Sequence, residues 1–81
     1  MKVHRQVDAS GLVCPEPVIR ARIGLSGLAV GETLELIATD PHAELDIEVF
    51  CATAGHKIEL VQQQDQQWRF LITRGQSPAA D

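Results

Sequence analysis

The chain has 81 residues, a hydrophobic content of 44% and a net charge of -4. That length supports a single domain with a thin core, burying roughly 60–65% of the surface of the unfolded chain. The seven basic residues, Lys2, Arg5, Arg20, Arg22, Lys57, Arg69 and Arg74, are too scattered to form the phosphate track that direct nucleic-acid binding needs.

No apolar run approaches the ~18 residues of a membrane span, and Met1 to Asp8 lacks the apolar core of a secretory signal. A cytoplasmic location is the expectation, with both cysteines reduced and no structural disulfide.

Lys2 to Val7 reads as a short strand with Val3 and Val7 on one face. Asp8-Ala9-Ser10-Gly11 reads as a turn, because Asp8 can accept local N–H groups and Gly11 can take a positive φ. Cys14-Pro15-Glu16-Pro17 then opens a helix. Pro15 suits the first helical position, and Pro17 is tolerated in the first turn. Val18, Ala21, Leu25 and Leu28 recur at helical spacing, with the end near Leu28. Gly24 and Gly27 weaken this helix by about 1 kcal/mol each relative to alanine.

Thr33 to Ala38 alternates as a second strand, with Leu34, Leu36 and Ala38 on one face and Glu35 and Ile37 on the other. Thr39-Asp40-Pro41 repeats the helix-start pattern, with Asp40 as N-cap and Pro41 first. Ala43, Ile47, Phe50, Cys51 and Ala54 form an amphipathic stripe closed by Gly55. Lys57 to Val61, with Ile58 and Leu60 on one face, and Trp68 to Ile72 read as strands joined by a polar connection over 62–67. The order is β-α-β-α-β-β. The two helices should cover one sheet face and leave the other partly open. Residues 1–75 form one domain, and 76–81 have the composition of a frayed tail.

Chemistry concentrates at Cys14. A cysteine at a helix start meets free N–H groups and the positive end of the dipole, so its pKa should fall below the free value of about 8.5. Glu16 opposes this. The candidate bases His4, His42 and His56 have no recognisable partner residue, so a Cys/His hydrolase is disfavoured. A thiol that attacks another sulfur needs no such base. Cys51 lies on the apolar stripe and reads as a packed core thiol. The cysteine and histidine spacing does not match a zinc site, and no metal or cofactor is expected.

Asp8-Ala9-Ser10-Gly11-Leu12-Val13-Cys14-Pro15-Glu16-Pro17 resembles the Asp-x-x-Gly-x-x-Cys-Pro-x-Pro signature of the TusA/SirA family of small sulfur-carrier proteins. The likeness continues through Gly31-Glu32-Thr33-Leu34, Thr39-Asp40-Pro41, Asp46-Ile47, Phe50-Cys51 and the stretch 69–75. The resemblance implies an α/β (α+β) two-layer sandwich with a mixed four-stranded sheet. It also implies a sulfurtransferase activity in which Cys14 takes sulfur as a persulfide from a cysteine desulfurase and hands it to a downstream relay protein. In one branch of the family the relay ends in 2-thiouridine of tRNA; other branches serve sulfur oxidation or molybdenum-cofactor metabolism. On this reading Asp8, Gly11, Pro15, Glu16 and Pro17 present the cysteine, and Arg20, Arg22, Asp40 and Glu44 are candidates for a docking rim shared by successive partners. The competing expectations are a non-catalytic regulatory module in which Cys14 merely packs, and a thiol that senses peroxide or disulfide.

Overall fold

The computed structural model describes residues 2–76. Apart from Gln76, the expected tail lies outside these residues. The elements are β1 (Arg5–Ala9), α1 (Glu16–Ser26), β2 (Thr33–Ala38), α2 (Ala43–Ala54), β3 (Lys57–Gln64) and β4 (Gln67–Thr73). They form one mixed four-stranded sheet in the order β1-β2-β4-β3. β1 runs parallel to β2, and β4 lies antiparallel to both β2 and β3. The element order is as the sequence pattern predicts, and the mixed sheet and the two-layer α+β class are as the family resemblance implies.

β1 lies further along the chain than expected. Its register with β2 extends from Arg5 opposite Leu34 to Ala9 opposite Ala38, so Ala9 belongs to the strand and is fully buried. The turn follows it. The Ser10 N–H and hydroxyl donate to Asp8 Oδ1 at 2.9 and 2.6 Å, and Gly11 takes φ +79°.

α1 starts at Glu16, so Pro15 occupies the N-cap position rather than the first helical one. The helix ends at Ser26, two residues before the expected Leu28; the Gly27 N–H donates back to the Gly24 carbonyl and the Leu28 N–H to the Leu25 carbonyl. Gly24 does more than weaken the helix. A Cβ there would lie 2.8 Å from Leu34 Cδ1 and 3.0 Å from Val7 Cγ2, so the missing side chain lets α1 sit close on β1 and β2. Arg74 closes the same C-terminal end of α1. Its Nη1 donates to the carbonyls of Leu25, Ser26 and Leu28 at 3.0, 3.2 and 2.6 Å, supplying partners to helix-end groups that have none within the helix.

The core lies between the helices and one sheet face. Leu34, Leu36, Phe70 and Ile72 from the sheet meet Ala21, Leu25, Ile47, Phe50 and Cys51 from the helices. Gly55, at φ +84°, closes α2 as expected.

The β3–β4 pair differs from its sequence reading in two ways. Both strands run into the glutamine segment, leaving Asp65 and Gln66 as the turn, with Asp65 at φ +56°. A bulge between Ile58 and Leu60 also shifts the register, so Ile58 pairs with Ile72 but Leu60 pairs with Leu71. Ile58 and Val61 therefore join the core, while Leu60 moves to the opposite face with Leu71 and Glu35. That opposite face carries a polar network: Gln6 Nε2 donates to Glu35 Oε1 at 2.6 Å, Arg69 Nε donates to Glu35 Oε2, and Arg69 Nη1 donates to Gln62 Oε1 at 3.1 Å. No helix among the described residues is long and apolar enough to cross a membrane.

Candidate functional site

The parallel pairing of β1 and β2 brings their C-terminal ends to one edge of the sheet. Cys14 follows β1 and Asp40 follows β2, so the fold sets them side by side. The Cys14 N–H donates to Asp40 Oδ2 across 26 residues of sequence. Asp40 Oδ1 accepts the His42 N–H at 2.9 Å and lies 3.2 Å from His42 Nδ1. The Gly11 N–H donates to Thr39 Oγ1 at 2.8 Å, a second tie between the same two loops. Asp40 is only 6% exposed. It acts as a brace for the cysteine loop and does not offer the exposed rim first expected of it. α2 begins at Ala43 with His42 at the N-cap position, so Asp40 reaches the helix start from two residues upstream. The hydrogen bonds from His42 and from Cys14 hold the Asp40 carboxyl below the usual carboxylate range.

Cys14 is exposed, and its peptide bond to Pro15 is cis. Its thiol does not show the depressed pKa expected of a helix start; the pKa is raised. The largest cause is the hydrogen bond to the Asp46 carboxylate, followed by desolvation and by the negative charges of Asp46 and Asp40. The residues explain the reversal. Pro15 and Pro17 carry no N–H. The Glu16 N–H is taken by the Val13 carbonyl at 2.8 Å. The start of α1 is thus short of the donors that would hold a thiolate, while the start of α2 supplies two carboxylates. Glu16 itself lies 3.8 Å from Arg20 in an i, i+4 pair and is not among the causes acting on the thiol.

Beside Cys14 a groove of about 630 Å³ runs between α1 and α2. Val18, Leu45, Val49, Phe50 and Ala54 give it an apolar wall, and Arg22 and Asp46 stand in its lining. Leu45 and Val49 are 65% and 56% exposed, and Val13 beside the thiol is 68% exposed. The Arg22 guanidinium lies 5.6 Å from the Phe50 ring centroid, a cation–π placement at the groove wall. Of the rim candidates, Arg22 lines the groove, Arg20 pairs with Glu16, and Glu44 is exposed on α2. Asp46 is the residue whose role sequence reasoning missed. A signal existed: Leu45 and Val49 are apolar at i, i+4 but lie off the buried stripe, and Asp46 sits between them.

All three histidines are engaged away from the thiol. His4 Nδ1 accepts the Thr33 N–H at 3.0 Å, His42 sits against Asp40, and His56 Nδ1 accepts the Gly75 N–H at 3.1 Å. Cys51 is buried, and desolvation pushes its thiol up to about 12.

The family described as Sulfurtransferase TusA matches residues 5–74. A sulfur carrier protein TusA of Pseudomonas putida is 46% identical over 65 residues, covering 80% of this chain and 79% of that protein. One from Pseudomonas aeruginosa is 46% identical over 65 residues, covering 80% of each. The crystal structure of a SirA-like protein from Desulfitobacterium hafniense superposes with a TM-score of 0.76 at 25% identity, covering 89% of this chain and 99% of that one.

Proposed function

The chain belongs to the TusA sulfurtransferase family, a family of sulfur carriers, and from that membership we propose that Cys14 is the atom-bearing site, holding sulfur in transit as a persulfide. The observation that carries this reading is the exposed thiol at the mouth of the interhelical groove, with its backbone tied to Asp40. In the loading step, Cys14 sulfur attacks the terminal sulfur of a donor persulfide. A new S–S bond forms on Cys14, the donor S–S bond breaks, and the donor sulfur leaves as a thiolate that takes up the proton Cys14 gave up. Unloading is the same exchange with an acceptor thiol as attacker and Cys14 as leaving group. No base, metal or external oxidant enters the balance.

Asp8, Gly11, Pro15, Glu16 and Pro17 shape the loop that presents the sulfur, and Asp40 fixes it to the second helix. The reading extends to a cysteine desulfurase as donor, a relay protein as acceptor and 2-thiouridine in tRNA as the end point. The net charge of -4 supports partners that are proteins rather than a directly held tRNA, and the reading places the exchange in the cytoplasm.

The test is loading from a cysteine desulfurase with labelled cysteine, read by mass spectrometry. Wild-type protein should gain one sulfur on Cys14, Cys14→Ser should gain none, and Cys51→Ala should load as the wild type does. Loading that survives Cys14→Ser overturns the assignment. The raised thiol pKa means that slow alkylation of Cys14 does not argue for a merely packed cysteine; sulfur loading decides.

A further inference from the structure

Cys14 and Asp46 line one groove, and a thiol beside a carboxyl poses a question: what turns it on. The groups around Cys14 give an answer. From the β2–α2 connection and α2, Asp40 holds the Cys14 N–H, His42 is bonded to Asp40, and Asp46 lines the groove. From α1, Glu16 and Arg20 pair with each other, and the Arg22 guanidinium stacks over Phe50. From the loop before the cysteine, Asp8 is occupied by Ser10. Asp40 is saturated by the Cys14 and His42 N–H groups. Asp46 differs from all of these. It is half-buried and lines the same groove as Cys14, it is the group that acts most strongly on the thiol, and among the described residues no cation pairs with it.

We propose that Asp46 is a latch on Cys14: its carboxylate accepts the thiol hydrogen and holds the sulfur in its unreactive form until a lysine or arginine of the docked partner takes the carboxylate over. The inference deepens the carrier reading and rests on it for its sulfur-transfer arm. Asp46 is open to the groove, so a partner lying in the groove meets Asp46 and the sulfur together. A cation there removes both the hydrogen-bond acceptor and the negative charge that disfavour the thiolate. The freed thiolate then attacks the donor's terminal sulfur in the balanced exchange given above. Once loaded, the outer sulfur stands one S–S bond beyond Sγ and no longer occupies the position that Asp46 holds. The latch therefore acts on the empty carrier more than on the loaded one. It also shields the empty carrier from exchange with stray disulfides, because the thiolate is the reactive species.

The direction of each effect follows. Asp46→Asn keeps the shape and removes the charge, so the thiolate fraction at pH 7 rises. Alkylation of Cys14 by iodoacetamide, followed by peptide mass spectrometry, should accelerate about three- to ten-fold, with the pH–rate midpoint moved down; the range allows for the lower nucleophilicity of a more acidic thiol. Glu48→Gln, which removes one charge from an exposed position of the same helix, should leave the rate and midpoint unchanged. Val49→Lys sets a cation three residues from Asp46 on the groove side, imitating the partner within the chain. It should accelerate alkylation, and most of that gain should vanish in the Asp46→Asn background. A midpoint that does not move in Asp46→Asn overturns the latch. A Val49→Lys gain of equal size with and without Asp46 overturns release by a cation. Sulfur uptake from inorganic polysulfide, which has no docking surface, should quicken in Asp46→Asn in step with alkylation. If wild-type Cys14 takes no sulfur from polysulfide or from a desulfurase, the carrier reading fails, while the alkylation arm still decides the latch. Unchanged circular dichroism and thermal midpoint identify the variants as folded, and Asp46→Glu, which retains the carboxylate, should restore slow alkylation.

Discussion

The two cysteines show how far environment outweighs residue type. Cys14 and Cys51 both have thiols held protonated, but for different reasons: two carboxylates act on an exposed sulfur in one case, and loss of water acts on a buried sulfur in the other. Because Cys51 is 2% exposed, a thiol reagent at pH 8 should label one of the two cysteines in native protein and both in denaturant. Peptide mapping should place the native label on Cys14, and native labelling of Cys51 would contradict the packing described here. The exposed placement of Cys14 between a turn and a helix was legible in the sequence, because the turn before it and the prolines after it are local signals. Its protonation was not. Helix-start reasoning counts the dipole of the helix that follows, whereas the groups that win here, Asp40 and Asp46, arrive from the far side of a strand. The same prolines that announce the helix also delete its free donors.

At the scale of the elements, most of the pattern was visible and the exceptions have identifiable physics. The stripe of α2 and the alternation of β2 predict their spans because each has one face in the core. The bulge at Glu59 was invisible to periodicity: one extra residue exchanges the faces of Leu60 and Val61 without changing the composition of the strand. The role of Arg74 was equally hidden, since it lies beyond the last strand and acts on the end of α1. Two leucines and a serine near a helix end do not announce that their carbonyls will be met by an arginine 46–49 residues away. Arg74→Met keeps much of the aliphatic stem and removes the donors. It should lower stability by about 1–3 kcal/mol, the range for leaving buried acceptors unpaired, measured as a shift of the urea midpoint with an unchanged slope. A variant as stable as the wild type would show that water replaces the guanidinium at no cost.

For the molecule as a whole, the sheet face away from the helices is held by charge as well as by apolar contact. Hydrogen bonding to Arg69 is the largest cause holding the Glu35 carboxyl below its ordinary value of 4.5, opposed by burial and aided by Gln6. A carboxyl depressed in the folded state contributes stability that is present above the unfolded pKa and lost as pH falls through the folded one. Urea midpoints should therefore decline as pH is taken below about 4.5, and Glu35→Gln should make that decline shallower while lowering the midpoint at pH 7. Parallel curves for the two proteins would remove Glu35 from the acid response. The hydrogen bond from Cys14 to Asp40 has a consequence of another kind. It joins the sulfur-bearing loop to a residue 26 positions later, across an intervening helix and strand. During synthesis the cysteine emerges first and stays unbraced until Asp40 has followed and β2 has paired with β1. On the function proposed above, competence to handle sulfur is thereby made conditional on a finished fold, and a nascent or misfolded chain should drop out of the traffic without any separate inspection step.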